Sequence, residues 1–324
     1  MRRKRMQTTI EQAADILKNS DNILLLTHMS PDGDTLGCAF ALCRALQLMG
    51  KKARVTTEGK IPKKFLYLCD AVRESGFDEE LVVAVDIADE KLFPENAHKY
   101  KGKVDLCVDH HMSNTHYAKA YCVEPTAAAC AEVVFKLVVA LGVEIDRLIA
   151  NCIFTGLTTD TGCFRYSNVT KQTMNTAAQL IEIGCDSYKI NKLMFETNSR
   201  ERIALEQMAL STLEYFDDGQ IAVMAVTLDM LEKSGASDSE LDGIAAIPRT
   251  IEGVLVGILI KQKSDSVYKV SVRSDETVCS ASELCSHFGG GGHAAAGGCS
   301  FKDMTIEEIK LKLVSQAERM LGKN

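Results

Sequence analysis

A histidine and two aspartates follow a short apolar run near the start of the chain. The run 23–26 is wholly apolar, as in a buried parallel strand, and His28, Asp32 and Asp34 come soon after it. A proline and a glycine in this stretch stop the strand and favour a tight loop. Ligands of open α/β sheets bind at the carboxyl ends of strands. The stretch therefore predicts a metal site, with helix capping as the plainer alternative for the aspartates.

The same arrangement recurs at two later strands. The apolar run 81–85 is followed by Asp86. The run 104–108 is followed by three side chains of the same kinds: Asp109, His110 and His111. The carboxyl ends of parallel strands lie at one edge of a sheet, so we expect all these groups to lie together. One aspartate after a strand is usually a helix cap, but three such strand ends favour a metal site.

The candidate ligands are carboxylates and imidazoles without a thiolate. A further carboxylate, Asp160, ends an apolar helical segment, where burial would require a partner. Such a set favours Mn²⁺ or Mg²⁺ over zinc. There are more ligands than one ion with an open position needs. They suit two ions about 3.5–4 Å apart, bridged by a carboxylate and a water or hydroxide. The expected reaction is hydrolysis of a phosphoester or phosphoanhydride.

Composition narrows the class of protein. The chain has 324 residues, enough for two domains, and a net charge of −7. The 12 cysteines include no Cys-x-x-Cys pair, which favours buried thiols in a reducing cytoplasm over disulfides or a zinc knuckle. No apolar run is long enough to span a membrane, and the basic start of the chain is followed by polar residues, so we do not expect a secretory signal. The net negative charge argues against a surface that binds nucleic acid over its whole extent. A polyanionic substrate must therefore be bound by a local site, with metal ions offsetting the charge.

The periodicity predicts an α/β protein with a parallel sheet in a catalytic domain at 1–195. Its strands are expected at 23–26, 53–57, 81–85 and 104–108, and its helices at 7–18, 35–49, 125–141, 146–158, 171–183 and 187–197. A helix at 199–215, within the segment 196–215, is expected to connect this domain to a smaller α/β domain at 216–324. The second domain has predicted strands at 221–226, 253–261 and 268–273, and helices at 282–288 and 306–320.

A glycine-rich segment at 289–298 contains four consecutive glycines followed by His293. A glycine run alone is more often a flexible loop, but the histidine and the small residues after it favour a close-packed segment. Its backbone N–H groups could then face an anion. Arg273, at a strand end, could bind phosphate through its planar guanidinium, or it is simply a surface arginine.

These separated motifs resemble the DHH phosphoesterase superfamily. The resemblance is carried by Asp109-His110-His111, by His28-x-x-x-Asp32-x-Asp34, and by Asp86 and Asp160. The glycine run with His293 is similar to the GGGH segment of the DHHA1-type C-terminal domain. The segment 161–166 and the absence of membrane or sensory domains most resemble the stand-alone bacterial nanoRNase/pAp-phosphatase branch.

The resemblance implies a role for each motif residue. One Mn²⁺ is expected on His28, Asp32 and Asp86, and the other on Asp34, Asp86, His110 and Asp160, with Mg²⁺ or another divalent ion as the alternative. Asp109 would orient the neighbouring histidine, and His111 would contact the scissile phosphate or its leaving oxygen. The substrate's terminal phosphate and base would be held by Arg273, Gly291, Gly292 and His293. The active site is expected in the cleft between the two domains.

The expected function is a two-metal phosphoesterase acting on short oligoribonucleotides, on 3′-phosphoadenosine 5′-phosphate (pAp), or on both. Cleavage of cyclic or linear dinucleotides such as pApA is the alternative. A manganese pyrophosphatase is disfavoured because that group has a different C-terminal domain. A non-catalytic nucleotide sensor is disfavoured because the set of expected metal ligands is intact. The sequence leaves open the dominant substrate, the cleavage polarity, the native metal and the oligomeric state, a homodimer included.

Overall fold

The computed structural model describes residues 5–73, 76–241 and 243–322. The chain divides after Thr197 into two compact units, each built on a six-stranded sheet. The α/β class predicted from the sequence is confirmed for both. Within the described ranges, no helix is long and apolar enough to cross a membrane. The cysteines of these ranges are all free, and most are buried.

The sheet of the first unit is entirely parallel. Its strands are β1 (Met6–Gln7), β2 (Ile23–Leu26), β3 (Ala53–Thr56), β4 (Leu81–Val85), β5 (Leu106–Asp109) and β6 (Ala120–Val123). They are ordered β1-β6-β5-β4-β2-β3, and every neighbouring pair is parallel. β3 and β4 flank β2 on opposite sides, so the strand order reverses at β2. Such a reversal is where open α/β sheets bind ligands.

Helices cover this sheet. They are α1 (Ile10–Lys18), α2 (Gly33–Leu48), α3 (Cys130–Leu141), α4 (Arg147–Asp160), α5 (Lys171–Ile183) and α6 (Ser187–Asn191), which runs into a π-helical turn at Lys192–Glu196. Alternate residues of β2 enter two apolar cores. Ile23 and Leu25 pack in the larger core and Leu24 and Leu26 in the smaller one. Because both faces of β2 are buried, its sequence is wholly apolar.

The second unit has a mixed sheet ordered β11-β12-β10-β9-β8-β7, in which only β8 and β9 are parallel. Its strands are β7 (Glu214–Phe216), β8 (Ile221–Val226), β9 (Val256–Ser264), β10 (Val267–Ser274), β11 (Gly291–His293) and β12 (Ala296–Lys302). Its helices are α7 (Arg200–Leu210), α8 (Leu228–Ser234), α9 (Ala281–Ser286) and α10 (Ile306–Met320). Separate apolar cores form around β10 with α10 and around α7 with β8.

Most predicted elements are present, some with the predicted bounds. β2, β4, β8, α5 and α10 match the sequence prediction residue for residue. The predicted 199–215 helix is wrong in extent, because α7 ends at Leu210 and β7 pairs antiparallel with β8. The turn between these two strands uses left-handed backbone at Asp217, Asp218 and Gly219.

The other differences lie at the ends of helices and strands and at strands that were not predicted. α2 begins at Gly33 because Asp32 caps it, and α3 begins only at Cys130, since the residue before it is extended. α1 begins at Ile10 after a Thr9 cap, and α4 continues to Asp160. β1, β6, β11 and β12 were not predicted as strands; β1 is very short, and its pairing depends on contacts distant in sequence.

Candidate metal centre

The loop between β2 and α2 brings His28 and Asp32 together. Oδ1 of Asp32 accepts hydrogen bonds from the backbone N–H groups of Asp34 (3.0 Å) and Thr35 (3.2 Å), so this aspartate does cap α2. The same oxygen lies 3.6 Å from Nε2 of His28. Nδ1 of His28 lies 2.8 Å from its neighbour's carbonyl oxygen and donates to it, which leaves Nε2 facing the carboxylate. Capping and metal binding are therefore compatible roles for Asp32.

Asp86 lies between two groups of candidate ligands. It follows β4 in a left-handed conformation (φ 59°), which is sparsely populated for residues other than glycine, and it is buried. Its Oδ2 lies 3.9 Å from Nε2 of His28. Its Oδ1 lies 3.7 Å from Nε2 of His110 and 3.5 Å from Nδ1 of His111. One carboxylate thus faces imidazoles on two sides.

The second group consists of Asp34, His110 and Asp160. Nε2 of His110 lies 3.4 Å from Oδ2 of Asp160 and 3.9 Å from Oδ2 of Asp34. The ring is oriented from its other side, because Nδ1 donates to the carbonyl oxygen of Ala127 at 3.1 Å. This hydrogen bond leaves Nε2 of His110 to face the carboxylates.

The fully buried Asp34 is fixed by α3. Its Oδ2 accepts from the backbone N–H of Cys130 at 2.6 Å and its Oδ1 from that of Ala131 at 2.9 Å, both at the N-terminus of this helix. α4 comes so close that a Cβ at Gly156 would lie 2.4 Å from Oδ1 of Asp34. Both the helix N-terminus and this glycine therefore hold the carboxylate in one position.

Asp109 is fully buried and orients His111. Its Oδ1 lies 2.7 Å from Nδ1 of His111 and also accepts from the backbone N–H of His110, while its Oδ2 accepts from Nδ2 of Asn114 at 2.5 Å. Burial alone would raise the pKa of Asp109, but the hydrogen bonds and the charge of His111 outweigh it and hold the pKa below its ordinary value. Asp109 is therefore an ionised acceptor that leaves Nε2 of His111 for other contacts.

The centre concentrates negative charge in a buried place. Burial first, and neighbouring carboxylates second, raise the pKa values of Asp34 and Asp86 well above the ordinary range. Burial would lower the pKa of His110, but the carboxylate of Asp160, 3.4 Å from its Nε2, and that of Asp34 outweigh this and raise the pKa to about 9. A bound cation would relieve this repulsion between carboxylates.

The residues present fit divalent metal ions. Within the described ranges, Oδ1 of Asp86 and Nε2 of His110 are buried without a hydrogen-bond partner, as expected for atoms that serve as metal ligands. Three groups have ligand atoms close enough together to hold an ion: His28, Asp32 and Asp86; Asp34, His110 and Asp160; and Asp86, His110 and His111. Asp86 and His110 each belong to two of these groups.

The residues predicted to bind substrate lie in the second unit, on a tight hairpin and its neighbour. His293 of β11 pairs with Ala296 of β12, which pairs in turn with Arg273 of β10. Directly paired residues share a face of a sheet, so Arg273 and His293 lie on one face, two strands apart. The glycine run is structured, as predicted, and a Cβ at Gly292 would lie 2.4 Å from the carbonyl oxygen of Ala296. Gly291, by contrast, has open space around it.

The structure thus brings all eight predicted residues of the first unit together, whereas their individual roles stay predictions. It also shows supporting residues that the sequence did not single out. Nδ2 of Asn168 donates to the carbonyl oxygens of Ala128 (2.9 Å) and Asp160 (3.1 Å), joining the segment just before α3 to the end of α4. Glu58 accepts from the backbone N–H of Ser30 at 3.1 Å, in the loop that carries His28. Neither residue lies in a recognisable motif.

Known proteins share both units. Residues 22–157 match the DHH family, N-terminal domain, and residues 218–322 match the DHHA1 domain. The bifunctional oligoribonuclease and PAP phosphatase NrnA of Thermus thermophilus is 32% identical over 303 residues, which cover 91% of this chain and 89% of that protein. The protein of the same name from Bacillus subtilis is 25% identical over 285 residues, covering 86% of this chain and 89% of that protein.

A solved structure shows the same fold. The exopolyphosphatase-related protein from Bacteroides fragilis superposes with a TM-score of 0.86 at 22% identity, covering 97% of this chain and 96% of that one. The family resemblance inferred from the motifs is confirmed by the domain matches and by the relatives. The chain therefore belongs to the DHH family of phosphoester-hydrolysing enzymes, in the branch that joins a DHH domain to a DHHA1 domain.

Proposed function

We propose that this enzyme hydrolyses short oligoribonucleotides and pAp with the help of two divalent metal ions, Mn²⁺ before Mg²⁺. The observation that carries the proposal is the Asp86 carboxylate, whose two oxygens face His28 on one side and His110 on the other. Relatives named oligoribonuclease and PAP phosphatase, similar over most of this chain, support the choice of substrates. Mixed imidazole and carboxylate ligands favour Mn²⁺, because Mg²⁺ rarely takes imidazole.

Each ion would be held by residues that already lie close together. His28, Asp32 and Asp86 would hold one, and Asp34, Asp86, His110 and Asp160 the other. When bound, such ions lower the pKa of water and offset the charge of a phosphoryl group under attack. The protein's own contribution is to fix the ligands, and the hydrogen bonds to Asp34 from α3 and to the carbonyl of Ala127 from His110 do this.

The remaining groups would act on the substrate directly. Because Nδ1 of His111 faces Asp109, Nε2 is left to contact the scissile phosphate or the oxygen that leaves. Arg273 and His293, on one face of the sheet, would hold the substrate's terminal phosphate and base with Gly291 and Gly292. A site that binds the terminal phosphate and base selects substrates in which the end of the strand is close to the bond that is cleaved. A long strand would gain little from a chain with net charge −7, so short substrates should be preferred.

A substrate panel with a metal series tests this function. The panel contains pAp, di- to pentaribonucleotides, a 20-mer at equal concentration of ends, pApA, cyclic di-AMP and pyrophosphate. We expect Mn²⁺-dependent release of phosphate from pAp and of mononucleotides from short RNA, faster than from the 20-mer. A chelator should abolish both activities. Full turnover in excess chelator would contradict the two-metal proposal. A preference for pyrophosphate or cyclic di-AMP would mean that this compound, and not pAp or short RNA, is the substrate. Binding of nucleotides without turnover would indicate a sensor.

A further inference from the structure

A left-handed turn directly follows Asp160. Gly162, Cys163 and Phe164 have φ values of 54°, 59° and 62°, so three consecutive residues adopt a conformation that two of them disfavour. Hydrogen bonds from the backbone N–H groups of residues 163, 165 and 166 to the carbonyls of Thr158 and Thr161 hold the turn at 2.7–3.1 Å. Phe164 anchors it, packing against Phe154 with ring centroids 5.9 Å apart. Strain held this firmly is typical of a functional segment.

The turn presents an aromatic ring to solvent. The ring of Tyr166 lies over Gly162, where a Cβ would be only 2.3 Å from Cζ. Tyr166 nevertheless stays 58% exposed, because the ring has backbone on one side and solvent on the other. A ring fixed on one face and open on the other is the arrangement on which nucleobases stack.

The turn also fixes a cation. Nε of Arg165 donates to the carbonyl oxygen of Gly162 at 2.6 Å, and its guanidinium lies 5.9 Å from the ring centroid of Phe195 in the π-helical turn. Within the described ranges no carboxylate pairs with Arg165, so its terminal nitrogens are available to an anion. Asp160, shortly before Arg165 in the chain, belongs to a group of candidate ligands rich in carboxylates, and an anionic substrate needs a positive group there.

We propose that Arg165 and Tyr166 form a nucleotide subsite next to the second group of metal ligands. Tyr166 stacks on a nucleobase, and Arg165 contacts a phosphate oxygen of the same substrate. This inference deepens the proposed function and rests on it. It also gives a purpose to the segment 161–166, which neither the metal centre nor the glycine-rich hairpin uses.

Removal of the base tests the role of Tyr166. A diadenylate and its analogue lacking one base are compared in wild type, Tyr166→Leu and Tyr166→Phe. In wild type, base removal should lower kcat/KM about five- to a hundredfold, and in Tyr166→Leu this penalty should shrink to less than about threefold. Tyr166→Phe should keep the wild-type penalty. Tyr215→Leu, a similarly exposed tyrosine of the second unit, is the matched control and should also keep it.

Binding without turnover gives an independent measurement. A methylenephosphonate dinucleotide carrying 2-aminopurine, which the enzyme cannot hydrolyse, is titrated in the presence of Mg²⁺, and its fluorescence reports stacking. Quenching by wild type and Tyr166→Phe, with loss in Tyr166→Leu, is the expected result. If all the variants quench equally, or if wild type does not quench, Tyr166 does not stack on a base. If wild type hydrolyses short RNA but no variant changes its use of the base, the subsite is wrong while the proposed function stands.

Arg165 is tested through its charge and its geometry. Arg165→Ala should lower kcat/KM on dinucleotides about ten- to a hundredfold, and Arg165→Lys should recover only part of the loss, because lysine lacks the planar donor pair. Bound manganese per chain should stay at the wild-type value in both variants. Arg147→Ala, which removes an exposed arginine paired with Asp186, is the control. Wild-type kinetics in Arg165→Ala, or loss of manganese, would overturn the assignment.

Discussion

In the first unit the candidate site includes buried carboxylates among half-buried side chains, whereas in the second unit the glycine-rich hairpin presents exposed residues. Asp34 and Asp109 are wholly buried and Asp86 nearly so, while Gly292 and His293 are exposed. The buried centre keeps polar atoms without partners, so it needs a cation before it can act on any substrate. Damage to the first region should therefore affect every substrate, and damage to the second only those it holds.

The largest effect is expected from Asp86→Ala. This carboxylate faces both groups of candidate ligands, so its loss should weaken the binding of both metal ions. We expect kcat to fall at least about a thousandfold on every substrate. Asp32→Ala, which touches only one group, should cost less. Asp89→Ala removes an aspartate close by in sequence but outside the groups, and serves as the control. Retention by Asp86→Ala of more than about a tenth of wild-type kcat would contradict its shared role.

Gly156→Ala should have the next largest effect, without removing any ligand. The new methyl group would lie 2.4 Å from Oδ1 of Asp34 and 3.0 Å from Cβ of Ala131, so the ligand must move. We expect bound manganese to fall from two ions toward one per chain and kcat to fall about a hundredfold on all substrates. Gly76→Ala, at a glycine with open space around it, is the control. Unchanged manganese content and activity would show that the close approach of α4 does not position Asp34.

Arg273→Ala should affect only substrates that the hairpin region holds. Loss of a charge-assisted hydrogen bond should lower kcat/KM on pAp or dinucleotides about ten- to a hundredfold. Hydrolysis of bis(p-nitrophenyl) phosphate, which has no terminal phosphate, should fall less than about threefold. Lys269→Ala removes an exposed cation from the same strand and is the control. Equal losses on both substrates, with manganese unchanged, would place Arg273 in the chemical step or in folding.

The sequence predicts the buried centre well because residue type and strand position both constrain it. A strand covered on both faces must be apolar, so Ile23–Leu26 is easily recognised, and the polar residues after it stand out. The contacts that hold the ligands in place are harder to predict from the sequence. The N–H groups that hold Asp34 come from Cys130 and Ala131, far away in sequence, and Asn168 has no motif. Such contacts depend on how helices pack, which local periodicity does not encode.

For the glycine-rich hairpin, the sequence predicts a close approach of the backbone but does not predict to which group. Its glycines predict that the backbone comes close to another group, and the structure agrees. At Gly290 and Gly297, however, that group is the protein's own backbone. A Cβ at Gly290 would lie 2.1 Å from the carbonyl oxygen of Gly298, and one at Gly297 would lie 2.4 Å from that of Ala281. Packing thus accounts for these glycines without a ligand. The shared face of Arg273 and His293 follows from strand register, which the sequence alone did not give.

Anomalous diffraction at the manganese edge, from crystals grown with Mn²⁺, tests the two-metal centre most directly. We expect two peaks about 3.5–4 Å apart. One peak should contact His28, Asp32 and Asp86. The other should contact Asp34, Asp86, His110 and Asp160, so that Asp86 touches both. A single peak, or two peaks that do not share Asp86, in crystals of protein that is active in solution would contradict the two-metal centre proposed for this enzyme.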